Sequence, residues 1–213
     1  MGRDNTLISL YVGQAPTEAD VQKVSQAVEK WSGSEGMKVV DAAAASEHVV
    51  LLQIAREPWI TPLRTGFELD EDTALAWACG LSQQARMPAV GGVLHDSDLL
   101  GLFLVVGGRE AGRLDVSDLY FDGEPSSDED DDLADWQAVV GAKQMGRLKK
   151  LWANRASKPC ETLASICALL SMDAEGADGF GSARWFVTPE VLESPADQWP
   201  VPLRILAKIG LSE

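Results

Sequence analysis

The order of apolar runs, turn signals and helix caps predicts an α+β fold: a split βαβ, ferredoxin-like sheet extended by a hairpin, with a helical C-terminal third. Three observations carry this expectation. Short β-branched and aromatic runs alternate with two capped amphipathic segments through Leu94, giving the order β-α-β-β-α-β. A glycine pair, Gly107-Gly108, then adds a hairpin, and beyond residue 132 the apolar residues recur at helical spacing. The expected organisation is a sheet domain over residues 1–121, an acidic loop over 122–132, and a mainly helical subdomain over 133–213 packed on the first. A chain of 213 residues can bury a core without a disulfide or metal staple, and 46% apolar with 24% charged residues is globular composition.

Leu7 to Val12 has the β-branched and aromatic content of a strand, punctuated by Gly13 to Pro16. Thr17 then caps a helix, with Asp20 as the capping-box acid and Val21, Val24, Val28 and Trp31 on one face, ending at Gly33 to Gly36. Met37 to Val40 and His48 to Ile54 read as the second and third strands. Residues 57–69 contain Pro58, Pro62 and Gly66 and read as an irregular connection pinned by Trp59 and Phe67. A second helix starts at Asp70, whose acidic neighbours Glu71 and Asp72 suit a helix N-terminus, and runs to Arg86 before Pro88. Ala89 to Leu94, Leu99 to Val106 and Arg113 to Val116 complete the strands of this half. Further on, Leu133, Trp136, Val139 and Val140, then Met145, Leu148, Leu151 and Trp152, then Leu163, Ile166, Cys167 and Leu170 mark three helical faces. Residues 176–181 read as a flexible loop before a last strand, Ala183 to Val187.

Charge excludes several function classes. Eighteen Lys and Arg against 33 Asp and Glu give a formal net charge of −15. Such a chain is repelled by phosphate backbones and anionic bilayers, which argues against a nucleic-acid or membrane partner. No apolar run approaches bilayer length and the N-terminus lacks the features of a signal peptide, so the expected location is cytoplasmic. Cys79, Cys160 and Cys167 have no paired spacing and read as reduced packing thiols.

Two motifs offer chemistry. His95-Asp96-Ser97-Asp98 joins two strands; a histidine between carboxylates suits a general base or a metal corner at His95, Asp96 and Asp98, while Asp and Ser also favour a plain tight turn. The run from Asp118 to Glu129 approaches a calcium loop, with Asp118, Asp122, Gly123 and Glu129 in register. Tyr120 stands at a ligand position, however, and Pro125 interrupts it, leaving at most weak Ca or Mg binding and no resident cofactor. No nucleophile elbow, phosphate loop or dinucleotide fingerprint is present, so no catalytic residue is assigned.

Between Arg113 and Lys143 the only charged residues are acids: Asp115, Asp118, Asp122, Glu124, Asp128, Glu129, Asp130, Asp131, Asp132 and Asp135. Residues 122–131 read as a mobile loop, and Asp131 or Asp132 as the cap of the helix carrying Trp136. An acid cluster beside aromatic anchors supplies both steering and a hot spot for a basic protein. The expected partner-binding set is Asp118, Tyr120, Asp122, Asp128, Glu129, Asp130, Asp131, Asp132 and Trp136. Trp59 and Trp199, in proline-bounded segments, are further candidates for exposed indoles.

The stretch Pro88 to Phe121, with a strand entering His95-Asp96-Ser97-Asp98, an apolar strand, the turn Gly107-Gly108-Arg109 and then Tyr120-Phe121, resembles a family of uncharacterised bacterial proteins with the same order of features. The resemblance covers about a sixth of the chain. It implies a bacterial, cytoplasmic setting and transfers no activity. The composition itself points to a protein-binding role, most specifically an immunity protein holding a basic toxin domain. The alternatives are a divalent-metal enzyme or calcium module built on the His95 corner and the 115–129 acids, and a scaffold subunit.

Overall fold

A computed structural model describes residues 5–45, 48–54, 58–64, 70–96, 98–121, 133–172 and 204–213. Strand β1 (Asn5–Tyr11) leads into helix α1 (Glu18–Ser34). Thr17 and Asp20 form the expected capping box: the Thr17 N–H donates to Asp20 Oδ2 at 3.0 Å and the Asp20 N–H donates to Thr17 Oγ1 at 3.3 Å. Then come β2 (Lys38–Val40), a 3₁₀ turn at Ala42–Ala44, β3 (His48–Ile54) and β4 (Trp59–Arg64). Helix α2 (Glu71–Ala85) is capped by Asp70, whose carboxylate accepts the Thr73 N–H at 2.8 Å. Beyond it lie β5 (Ala89–His95), β6 (Asp98–Val106), β7 (Arg109–Asp115) and the short helix α3 (Ser117–Phe121). The helices α4 (Gln137–Val140), α5 (Met145–Ala153) and α6 (Pro159–Leu169) precede strand β8 (Arg204–Ser212).

The strands form one eight-stranded sheet in the order β2-β8-β3-β4-β1-β5-β6-β7, and every neighbouring pair is antiparallel. β1 and β3 therefore share a direction with β4 between them. β4 and β5 likewise share a direction across β1. α1 lies in the connection from β1 toward β3, and α2 in the connection from β4 to β5.

Both faces of the sheet are covered. On one, α1 and α2 place Val24, Val28, Ala78 and Leu81 against Ile8, Leu10, Val50, Phe103 and Val105. On the other, Leu148, Trp152, Leu163 and Ile166 pack with Val90, Leu102, Leu104 and Leu114. β6 consequently has no solvent side: each residue from Leu99 to Val105 is buried, which is why it reads as a continuous apolar run rather than an alternating one. Gly107 and Gly108, both at positive φ, make the β6–β7 turn, where a residue with a β-carbon would be strained.

The structure corrects three expectations. Residues 59–64, read as an irregular connection because of their prolines, are strand β4. The ladder to β1 pairs Tyr11 with Trp59 and Leu10 with Ile60. One step on, the hydroxyls of Ser9 and Thr61 hydrogen-bond to each other at 2.8 Å in the core, and the ladder stops before Pro62, which has no N–H to give. Pro62 instead stands opposite Leu52 of β3. Second, the strand read as Arg113 to Val116 runs from Arg109 to Asp115, and the unassigned residues after it form the helix α3. Third, residues 204–212, inside the part read as mainly helical, form β8 and insert between β2 and β3. The loops expected at 122–131 and 176–181 and the strand at 183–187 lie outside the described residues.

Candidate functional site

The residues with chemistry meet where the β5–β6 hairpin, α3 and the start of α6 come together. β5 ends at His95, which stands opposite Asp98 in the ladder, and Asp96 takes the left-handed conformation, φ 49°, that a tight reversal needs. After β7, the Asp115 carboxylate accepts the Ser117 N–H at 2.7 Å and also its hydroxyl, starting α3. That turn brings the end of α3 back over the hairpin. The Tyr120 hydroxyl donates to Asp98 Oδ2 at 2.7 Å. The Phe121 ring meets His95 edge-on at 5.3 Å between centroids and Tyr120 at 5.0 Å. His95 Nε2 is 3.8 Å from Asp96 Oδ2.

Two groups at this corner titrate away from their ordinary values. The hydrogen bond to Asp98 raises Tyr120 above the usual phenol range, with smaller contributions from burial and from the Asp98, Cys160 and Asp96 charges. Burial, helped by the Asp98 carboxylate, raises Cys160, so that thiol is held protonated rather than activated. Burial likewise raises Cys79. The corner is thus a surface of aromatic edges and carboxylates, with Tyr120 39% and Phe121 59% exposed. Such a surface suits a guanidinium or ammonium, which can lie over a ring while pairing with an acid.

Of the expected partner-binding set, Asp118 and Tyr120 both lie on α3, and Tyr120 meets Asp98 next to His95 and Asp96. Asp122, Asp128, Glu129, Asp130, Asp131 and Asp132 lie outside the described residues. Trp136 is corrected: it is fully buried in the core under the helical layer, with its ring over Gly112 of β7, because Leu133, Trp136 and Val139 form one inward face. Trp59 is buried as well, and its Nε1–H donates to the Leu170 carbonyl at 2.7 Å. Trp199 lies outside the described residues.

Among the described residues no group of three or more His, Cys, Asp or Glu side chains is placed to hold a metal ion. Asp98 accepts the Tyr120 hydroxyl and Asp118 lies within α3, while Asp122, Gly123 and Glu129 of the calcium-loop pattern lie outside the described residues. Among the described residues, too, no helix is long and apolar enough to cross a membrane.

The residue the sequence reading did not assign is Phe121, the most exposed of the large apolar side chains described. Its signal was indirect. Asp115 two residues before Ser117 is a helix-start pattern, and a helix that buries Val116 turns Tyr120 and Phe121 outward. The chain matches no family model, no curated protein and no solved structure.

Proposed function

We propose that this chain binds a basic protein through the Tyr120–Phe121 corner, and that it acts in the cytoplasm as an immunity protein neutralising a toxin domain. One observation carries the binding reading. Four large apolar side chains are exposed among the described residues, Val39, Val106, Tyr120 and Phe121, and two of them, Tyr120 and Phe121, adjoin each other and sit beside Asp96 and Asp98. An exposed aromatic pair is a hot-spot composition, and the surrounding acids, on a chain of net charge −15, speed encounter with a cationic surface. The immunity reading rests on that charge complementarity, since an inhibitor of a basic enzyme gains association rate from opposite charge.

The scaffold belongs to the same proposal. The order β3-β4-β1-β5, with α1 and α2 in the two crossovers and on one face, supports taking the inner four strands as a split βαβ unit. The hairpin β6–β7 then extends that unit and carries the corner at its edge.

The test is capture from native cells by the tagged wild type and by Phe121→Ala, a substitution at an exposed site that leaves the core intact. A stoichiometric basic partner on the wild type, depleted tenfold or more on Phe121→Ala, is expected, together with relief of that partner's toxicity on co-expression. A partner retained equally by both removes the corner as the docking surface. A corner-dependent partner that is not toxic removes the immunity reading.

A further inference from the structure

At the other end of β1 and β5 from the aromatic corner, a cavity of about 720 Å³ opens between the β1–α1 turn, the end of α2 and Ala138 of α4. Its size falls in the range of small-molecule sites, roughly 300–1,000 Å³. Buried Ala85 and Met87 line it together with Tyr11, whose ring is held against Trp59 at 4.9 Å between centroids. Exposed Lys23 and Arg86 also line it, and so does Asp20. The Asp20 carboxylate is occupied by the α1 cap: Oδ2 accepts the Thr17 N–H at 3.0 Å and the Thr17 hydroxyl at 2.6 Å, while Oδ1 stands 3.7 Å from Lys23 Nζ. The lining therefore carries two cations against one engaged acid, in a chain that is strongly acidic overall.

Arg86 adds an independent mark. It is the C-cap of α2 at φ 56°, ψ 44°, the left-handed conformation that helices ordinarily assign to glycine or asparagine. A cation in the last helical turn would satisfy the helix dipole without that strain. The left-handed backbone instead sets a guanidinium beside the cavity, and an unfavourable backbone conformation at a cleft is a mark of a functional site.

The geometry points to a binding site for a small anionic molecule with an apolar body: its carboxylate or phosphate on Arg86 and Lys23, its aromatic or aliphatic part on Tyr11, Ala85 and Met87. The site stands apart from the protein-binding corner and does not depend on that reading. Amide chemical-shift titrations of the full chain with phenyl phosphate and with benzoate test it and separate the two anion types. Saturable shifts centred on Gly13, Arg86 and Met87 are expected with at least one of the two, with benzyl alcohol and inorganic phosphate each binding at least tenfold more weakly. Arg86→Gly suits the left-handed backbone, so it should melt no lower than the wild type while weakening the anionic probe tenfold or more. Lys23→Gln should weaken it in the same direction, and Phe121→Ala should leave it unchanged. Shifts scattered over the surface, benzyl alcohol binding as tightly as the anions, or Arg86→Gly titrating like the wild type would overturn the site.

Discussion

Trp59 and Trp136 are both 0% exposed and both pack in the core beneath α4, α5 and α6, yet their indole N–H groups have opposite fates. The Trp59 N–H donates to the carbonyl of Leu170, the C-cap of α6, at 2.7 Å, tying the helical layer to the middle of the sheet. The Trp136 N–H has no partner among the described residues. Replacing each by Phe removes the same atoms, so the cost of lost volume, about 1–2 kcal/mol by analogy with other large-to-small core changes, is common to both. Trp59→Phe also strands a buried carbonyl, which costs about 1–3 kcal/mol more. Trp136→Phe instead deletes an unsatisfied buried donor and recovers part of its volume loss. The two variants should differ by about 2 kcal/mol or more, with Trp59→Phe the less stable. At a urea dependence of about 3 kcal/mol per molar, the midpoints separate by about 0.7 M. Far-UV circular dichroism is the right readout, since tryptophan fluorescence changes with the substitution itself. Coincident midpoints, or a lower one for Trp136→Phe, would refute the role assigned to the Trp59–Leu170 bond.

A β-carbon at Gly91 would collide with the ring of Phe103, which is fully buried, so Gly91→Ala should cost about 2–3 kcal/mol and Phe103→Leu in the same chain should recover part of it; a double-mutant cycle in urea measures the coupling. Hydrogen bonds from Thr17 hold Asp20 below the ordinary carboxylate range, so its stabilisation is present above the unfolded value, about pH 4, and is lost as pH falls through the folded one. The gap in unfolding midpoint between wild type and Asp20→Asn should accordingly narrow from pH 6 toward pH 2.5, and a constant gap would contradict the capping account. The chain has two tyrosines, so absorbance at alkaline pH can follow Tyr120: Asp98→Asn should bring its ionisation down toward the ordinary phenol value, and an unchanged titration would remove the Tyr120–Asp98 bond from the corner.

Where local chemistry decided the outcome, the sequence was legible. The Thr17 and Asp70 caps, the Pro88 stop and the glycine pair at 107–108 each act within a few residues, and α1, α2 and β6 fall where those signals place them, while β7 starts at Arg109, directly after the glycine pair and four residues before the expected Arg113. The inward faces around Leu148, Trp152, Leu163 and Ile166 were equally plain, because helical spacing survives whichever sheet the helices cover. What misled was a residue whose usual meaning is overridden by its neighbours. Pro62 ordinarily argues against an inner strand. Here the β1–β4 ladder ends before it, and a Ser9–Thr61 hydroxyl pair bridges the strands one residue earlier, so the missing N–H breaks nothing. Such tolerance depends on what lies across the sheet, which no window of the sequence contains.

The corner was illegible for the same reason, on a longer scale. Asp98 and Tyr120 are 22 residues apart and meet only because β6 and β7 run out and back and Asp115 then turns the chain into α3. The acid run drew attention to charge between residues 118 and 136, and its most prominent aromatic, Trp136, proved to be an inward-facing core residue. Charge density marks what a surface attracts, whereas an anchor must also be left uncovered, and coverage is settled by packing. Val116 is buried at 1% exposure immediately before a five-residue helix, so Tyr120 and Phe121 project where neither the sheet nor α6 fully covers them. That makes the aromatic pair, more than the acid run, the part of the proposed interface whose removal should cost binding energy, while the acids should govern encounter rate and its dependence on salt.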